Sequence, residues 1–139
     1  MKTTIFAAIL ILVFASASPA QEKSPKAMTE GFFRLLMQNK MPDAYNQLFA
    51  NSPVPKVRPE EISVLKQETE TSLGAYGKIL GYELIREERF GGSVFRLVYL
   101  LKSEMVPTVW QFFFYKPASD WYVLGVAFSD DADALAAMQ

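Results

Sequence analysis

The 139-residue chain contains no cysteine and no histidine. Without cysteine there is no disulfide, so an apolar core must hold the fold. Without histidine, Ser-His-Asp and Cys-His nucleophiles and histidine-based zinc or iron sites are excluded. The tail aspartates Asp130, Asp131 and Asp133 lack the glycine and terminal glutamate of a calcium loop, so they are expected to be solvated. Catalysis would have to use carboxylates, tyrosine or lysine, and we predict no cofactor and no metal.

The chain also lacks an excess of positive charge. Its 14 Lys and Arg residues against 15 Asp and Glu residues give a formal net charge of −1. Because a basic surface is what binds phosphates, a nucleic-acid partner is not expected. The chain is instead rich in apolar residues, with 50% hydrophobic and 14% aromatic side chains. This composition suffices for one domain to build a core without cross-links.

Residues 1–20 are typical of a secretory signal peptide. A lysine near the start precedes an uncharged apolar run over residues 5–14, and small residues follow it. Cleavage fits after Ala17 or after Ala20. We favour Ala20, which leaves a single domain over residues 21–139. The apolar run is shorter than the roughly 18 residues that span a bilayer, so a retained anchor is the weaker alternative. We expect a periplasmic or secreted protein with no membrane contact after cleavage.

Helical spacing of apolar residues dominates the first half of this domain. The predicted helices cover residues 25–39, 42–50 and 59–73, with Gly74 able to end the last. Ser24 before Pro25 is a typical helix start. Residues 51–55 carry two prolines and predict a loop.

From Ile79 onwards the apolar residues are spaced as in β-strands. The predicted strands cover residues 79–90, 94–102, 109–116 and 121–128. Gly91-Gly92 is a hairpin-turn pair, and residues 129–139 form an acidic, alanine-rich tail. Helices followed by a meander predict an α+β domain, in which the N-terminal helices pack on one face of a four-stranded antiparallel sheet.

Turn lengths give a trial register that sorts the strand residues onto two faces. The opposite pairs it assumes are Glu87 with Arg96, Tyr99 with Phe112, and Phe114 with Val123. The first face is almost wholly apolar and is assigned to the helices. It contains Tyr82, Leu84, Phe95, Leu97, Tyr99, Leu101, Trp110, Phe112, Phe114, Trp121, Val123, Gly125 and Ala127. Its only acid is Glu88 at the rim, whereas Glu83 and Glu87 fall on the other face.

The second face mixes polar groups with large apolar side chains. A solvent-exposed apolar patch is more often an interface than bare surface, so we predict a homodimer through this face. The candidate interface residues are Phe113, Tyr115, Leu124, Val126 and Phe128. The alternative is that the C-terminal tail covers the patch. Arg96 is expected to pair with Glu87 across the strands rather than to hold a carboxylate ligand.

A set of motifs runs through the second half of the chain. They are Leu73–Gly77, Val94–Tyr99, Pro107 with Trp110, Phe114–Pro117, and Trp121 in a strand that ends at Phe128. Together they resemble the nuclear transport factor 2-like superfamily, the cystatin-like α+β cone, and more narrowly its exported bacterial members without an assigned function. The resemblance covers about residues 26–130. It implies a curved sheet wrapped around a long helix, an opening that often holds a small apolar ligand, and frequent dimers through the sheet.

The candidate ligand-binding residues of such a cone are Tyr76, Tyr82, Tyr99, Trp110, Phe112 and Trp121. Each aromatic residue also has a plainer interpretation as core. Catalytic members of the superfamily place Asp, Tyr or His in the cone, but fold alone does not transfer their activity. Because the helix-covered face offers no internal acid to act as a base, the sequence argues against an enzyme. Three hypotheses remain: an exported module that binds a small apolar molecule, a dimeric scaffold with a filled cone, and an isomerase- or dehydratase-like enzyme.

Overall fold

The computed structural model describes residues 23–137, so the predicted signal peptide lies outside the described residues. The elements are α1 (Pro25–Met37), α2 (Met41–Leu48), α3 (Val54–Val57), α4 (Pro59–Tyr76), β1 (Ile79–Phe90), β2 (Val94–Ser103), β3 (Thr108–Tyr115), β4 (Tyr122–Ser129) and α5 (Ala132–Ala136). The strands form one antiparallel meander in the order β1-β2-β3-β4. The predicted α+β class, with helices preceding a four-stranded sheet, is confirmed.

Helix α1 supplies the side chains at the centre of the core. The Ser24 hydroxyl accepts a hydrogen bond from the Ala27 N–H at 3.2 Å, and Pro25 occupies the first turn, where no N–H is required. The buried apolar side chains recur at helical spacing; they are Met28, Phe32, Phe33 and Leu36. This stripe places two adjacent phenylalanine rings against the sheet.

Two differences from the predicted helices follow from glycine and proline chemistry. Helix α4 continues past Gly74, and Gly77 ends it with a φ of +81°. Such a positive φ is open to glycine because it has no Cβ to clash. The one-turn helix α3 occupies part of the predicted loop. Pro55 lies in its first turn, where proline is tolerated.

The two central strands follow the predicted faces. Tyr99 lies opposite Trp110 instead of Phe112, but a shift of two residues keeps every side chain on its original side. Trp110 and Phe112 are buried in the core beneath the helices. Gln111 and Phe113 lie on the other side, where both contact Arg96. The apolar inner face of β2 and β3 is therefore as predicted.

A bulge in β1 reverses the two faces in the second half of that strand. The irregularity lies between Leu84 and Arg86. Beyond it Glu87 lies on the helix side, where its carboxylate pairs with the Lys26 ammonium of α1 at 2.6 Å. Glu88 lies on the opposite side. The predicted positions of Glu87 and Glu88 are therefore both wrong, because the prediction assumed an unbroken strand.

The predicted cross-strand pair of Arg96 with Glu87 is wrong for a related reason. Phe90 lies opposite Val94, so the β1–β2 loop holds three residues instead of the two glycines assumed. The register therefore places Glu88 opposite Arg96, and their side chains pair at 2.7 Å.

Strand β4 also contains a bulge. Phe114 lies opposite Val123, as predicted, but Phe113 lies opposite Gly125. Leu124 is thus the extra residue. Because the side-chain period of a strand is two, one inserted residue exchanges the faces of everything that follows.

The faces predicted for residues 125–128 are therefore exchanged. Val126 and Phe128 pack against the core on the helix side, and the Phe128 ring stacks on Trp110 with centroids 4.5 Å apart. Their placement on the candidate dimer face is wrong. Gly125 and Ala127, which the prediction put beneath the helices, lie on the opposite side of the sheet.

Candidate functional site

Helix α1 occupies the space that the resemblance assigned to a ligand. The Phe33 ring stacks on Tyr82 with centroids 4.9 Å apart. The Phe32 ring lies edge-on to Phe112 with centroids 5.5 Å apart. Close aromatic contacts of this kind are the packing of a protein core. Around Phe33 the structure brings together four of the six candidate pocket residues: Tyr82, Tyr99, Trp110 and Phe112.

The polar atoms of these aromatic residues form hydrogen bonds within the protein. The Tyr99 hydroxyl lies 2.9 Å from the Thr29 hydroxyl of α1 in a buried hydrogen bond. Burial raises the pKa of Tyr99, and the hydrogen bond to Thr29 partly offsets that rise. The Trp110 indole N–H donates to the Thr108 hydroxyl at 2.8 Å. These groups orient the core, and their hydrogen bonds are already satisfied by the protein.

The other two candidate pocket residues lie apart from this cluster. The exposed Tyr76 hydroxyl donates to the Asp130 carboxylate, and this bond is the main cause of a raised Tyr76 pKa. The Trp121 ring packs near Phe95, with the Lys116 ammonium 5.1 Å from its centroid. The six residues therefore do not form one pocket lining.

An open groove lies between α4 and β4, and we call it the α4–β4 groove. It has a volume of about 450 Å³. It is lined by Glu60, Glu61, Val64, Leu65 and Glu68 of α4 and by Val126, Ala127 and Phe128 of β4. A second hollow of about 310 Å³ adjoins it and shares Glu68 and Phe128 with it. A concave surface with an apolar floor and a few polar groups is a default candidate for a binding site.

The segment that contains α3 and α4 is hydrogen-bonded at one end to β4 and at the other end to the residue just after β4. Before α3, the Ser52 hydroxyl donates to the Val123 carbonyl oxygen at 2.7 Å. At the far end Tyr76 of α4 reaches Asp130, just after β4. Between these two contacts the first half of α4 and the second half of β4 form the two walls of the groove.

Buried contacts on the core-facing side of α4 fix the position of this helix. The hydroxyls of Tyr45 in α2 and Thr69 in α4 lie 2.6 Å apart, both fully buried. Thr69 donates its own proton to the Leu65 carbonyl oxygen at 2.7 Å, so Tyr45 is the donor to Thr69. Burial is the largest cause that raises the pKa of Tyr45 far above its usual value. Ile62 adds an apolar contact to the same side.

The rim of the groove is acidic. Glu61 forms an exposed pair with Arg58 at 3.4 Å. Among the described residues, Glu60 and Glu68 take part in no ion pair. Between them lies Val64, an apolar side chain that is 52% exposed. The groove therefore offers apolar surface flanked by uncompensated negative charge, which favours a ligand that is both apolar and cationic.

The second face of the sheet carries a polar cluster. The Arg96 guanidinium donates to the Gln111 side-chain oxygen at 2.7 Å and to the Glu88 carboxylate at 2.7 Å. The hydrogen bond from Arg96 is the largest cause that lowers the pKa of Glu88. Ala134 and Ala137 line a small hollow of about 90 Å³ with this cluster.

The C-terminal tail thus covers part of this face. Val98 and Val109 are buried, although they lie outside the main core cluster. Of the candidate interface residues, Phe113, Tyr115 and Leu124 stay half-buried on this side. An apolar strip remains beside the covered part.

Two of the three aspartates after β4 form hydrogen bonds through their carboxylates. Asp131 caps α5, since its carboxylate accepts the Asp133 N–H at 3.0 Å, and Asp130 is held by Tyr76. Within residues 23–137 no three Asp or Glu side chains gather as a metal-binding group. In the same range no helix has both the length and the apolar character to cross a bilayer.

Sequence reasoning missed the groove, although a signal for it is present. Glu60, Val64 and Glu68 recur every four residues, on a different face of α4 from the buried Ile62 and Thr69. Residues four apart lie on one face of a helix, so these three side chains are expected to share a surface. What this pattern faces depends on where β4 lies, which local spacing does not reveal.

Comparison of the chain with protein-family models, with curated proteins and with solved structures finds no match.

Proposed function

We propose that this chain is an exported, non-catalytic binding domain whose ligand occupies the α4–β4 groove and carries both apolar and cationic groups. The observation that carries the proposal is the apolar floor formed by the exposed Val64 and the half-buried Phe128, beside the carboxylates of Glu60 and Glu68. The order of helices before a four-stranded meander supports a place in the nuclear transport factor 2-like superfamily. Since α1 fills the space beneath the sheet, we place the ligand in the groove and not in a cone.

Binding fits this site better than catalysis. A general base needs an environment that tunes its proton affinity near the working pH, usually by burial. Glu60, Glu61 and Glu68 are exposed on an outer helical face. Glu87, the acid on the helix side of the sheet, is engaged by Lys26. These carboxylates are placed to attract charge and not to move protons.

The shape of the groove sets the expected affinity. It is open along one side, so a ligand buries only part of its surface. Dissociation constants of roughly 10 μM to 1 mM, or about −7 to −4 kcal/mol, are typical of such partial burial. Salt should weaken binding because the carboxylates of the rim are exposed.

The test uses two surfactants of opposite charge, dodecyltrimethylammonium and dodecyl sulfate, each below its critical micelle concentration. Titrations of the ¹⁵N-labelled protein followed by NMR should show saturable shifts at α4 and β4 for the cationic probe alone. Val64→Ser and the double variant Glu60→Gln/Glu68→Gln should each weaken binding several-fold. Equal binding of both surfactants, or shifts located elsewhere, would overturn the proposal.

Matched control variants separate the groove from general surface effects. Leu80→Ser removes a similar apolar side chain, 58% exposed, from the opposite edge of the sheet. Glu70→Gln removes a charge from α4 outside the groove lining. Both controls should bind the cationic probe as the unmodified protein does.

A homodimer through the uncovered part of the second face is a second candidate. The specific support is the strip of Phe113, Tyr115 and Leu124, where the Tyr115 ring packs edge-on to Tyr122 with centroids 5.7 Å apart. Native mass spectrometry and sedimentation over a range of concentrations test it. A dimer that Phe113→Asp dissociates would support this candidate. A monomer at 100 μM, on the order of a weak interface's dissociation constant, would remove it.

A further inference from the structure

We propose that the ligand of the α4–β4 groove is an extended peptide that adds to the free edge of β4 as a fifth strand. Its helix-facing side chains follow the order basic, apolar, basic at every second residue. This inference rests on the proposed function and adds to it the chemical class of the ligand and its backbone pairing. Strand addition to an exposed sheet edge is a general mode of peptide recognition.

The two edges of the sheet differ in how well they are protected. β1 forms one edge, and it carries five charged residues and two bulges. Charges and bulges discourage pairing with another strand. β4 forms the other edge, and Tyr122–Ser129 contains no charged residue and no proline. Its bulge at Leu124 precedes the part that lines the groove. The groove therefore borders the unprotected edge.

The first part of this edge is already satisfied by the protein. The Asn51 side chain donates to the Trp121 carbonyl oxygen at 2.9 Å, and Ser52 donates to the Val123 carbonyl oxygen at 2.7 Å. Along the part that the structure describes, no other segment hydrogen-bonds the outer edge from Gly125 to Ser129. A strand paired on one side directs half of its backbone groups away from the sheet. Those groups face the groove and can accept a partner strand.

The side chains of α4 match the repeat of an added strand. Glu60, Val64 and Glu68 are spaced by four residues, which is about 6 Å along a helix. Alternate residues of a strand are about 6.8 Å apart. Three successive helix-facing side chains of the peptide therefore lie opposite an acid, an apolar residue and an acid. Lysine or arginine at the outer positions places its ammonium or guanidinium at the carboxylates and its aliphatic stem on the floor.

The probe is the synthetic peptide Thr-Lys-Thr-Val-Thr-Lys-Thr, acetylated and amidated. Its control contains the same residues in the order Thr-Thr-Lys-Lys-Val-Thr-Thr, which breaks the alternation. Titration into the ¹⁵N-labelled protein should shift resonances of α4 and the second half of β4, with the control at least about tenfold weaker. Equal affinity of the two peptides would overturn the side-chain pattern.

Backbone methylation tests the strand pairing. Two versions of the probe carry N-methyl groups on opposite sets of alternate amides, so only one set removes the N–H groups that face β4. Loss of two or three hydrogen bonds predicts at least about a tenfold loss of affinity for one version and little change for the other. If both methylated versions bind like the parent peptide, strand addition is refuted.

A charge-reversal variant, together with the surfactant titration, distinguishes this inference from the proposed function. Glu60→Lys/Glu68→Lys should lose the basic probe and bind Thr-Glu-Thr-Val-Thr-Glu-Thr instead. If the cationic surfactant binds the groove and no peptide does, the inference fails while the proposed function stands. If neither the surfactant nor the peptide binds, both fail.

Discussion

The buried hydrogen bond between Tyr45 of α2 and Thr69 of α4 fixes the helix that lines the groove. The loss of unfolding free energy should depend on which of the two partners is replaced. Thr69→Val leaves the Tyr45 hydroxyl, buried and 2.6 Å from its former acceptor, without a partner. An unsatisfied buried hydroxyl costs about 1–3 kcal/mol. Tyr45→Phe leaves the Thr69 hydroxyl bonded to the Leu65 carbonyl oxygen, so the loss is one neutral hydrogen bond, about 1 kcal/mol.

The double variant Tyr45→Phe/Thr69→Val removes both partners at once. Because no hydroxyl is then left unpaired, its cost should not exceed that of Thr69→Val alone. The sum of the single costs should therefore exceed the measured double cost by about 1 kcal/mol. Urea unfolding followed by circular dichroism gives the free energies, and an unchanged slope against urea shows that the unfolded state is unaltered. Additivity within about 0.3 kcal/mol would refute the reasoning, since independent sites add in that way.

Two further predictions concern backbone geometry and alkaline stability. Gly77→Ala should lower the stability by about 1–2 kcal/mol, because φ is +81° and a Cβ there meets the Glu104 carboxylate at 2.8 Å. Gly74→Ala lies in α4 with open space around its Cβ and should raise the stability by up to about 1 kcal/mol; shifts of equal sign in thermal unfolding would contradict this pair. Burial raises the pKa of Tyr45, so its contribution to stability is complete below roughly pH 10 and is lost as the pH rises above that value. Urea unfolding from pH 9 to 11 should show this loss in the unmodified protein and less of it in Tyr45→Phe; equal losses would argue against burial of the hydroxyl.

The faces of β2 and β3 could be predicted because alternation within a strand is a local property. Trp110 and Phe112 face the helices in any register that differs by two residues. The error in the predicted loop length therefore did not change the face assigned to them. The same reasoning failed at Glu87 in β1 and at Val126 in β4. A bulge is one extra residue whose position depends on what packs against the strand, and alternation gives no sign of it.

The candidate site could be predicted less well than the faces of the central strands. The six aromatic residues selected for a cone pocket include four that pack around Phe33. Large aromatic side chains at inward positions are the same residues that a filled core requires, so composition alone does not separate a pocket from a core. The groove that the structure does contain was missed, since its two walls are distant in the chain.

The order of the longer helices and of the strands, the α+β class and the apolar side of the central strands follow from the amino-acid sequence by itself. Caps, turn residues and hydrophobic periods act over a few residues, and they are read from neighbours in the chain. Only the tertiary structure decided where the strands bulge, which acid faces the helices, and that α4 stands beside the free edge of β4. Those features depend on contacts between segments far apart in the chain, such as Lys26 with Glu87 and Ser52 with Val123, which local patterns do not show.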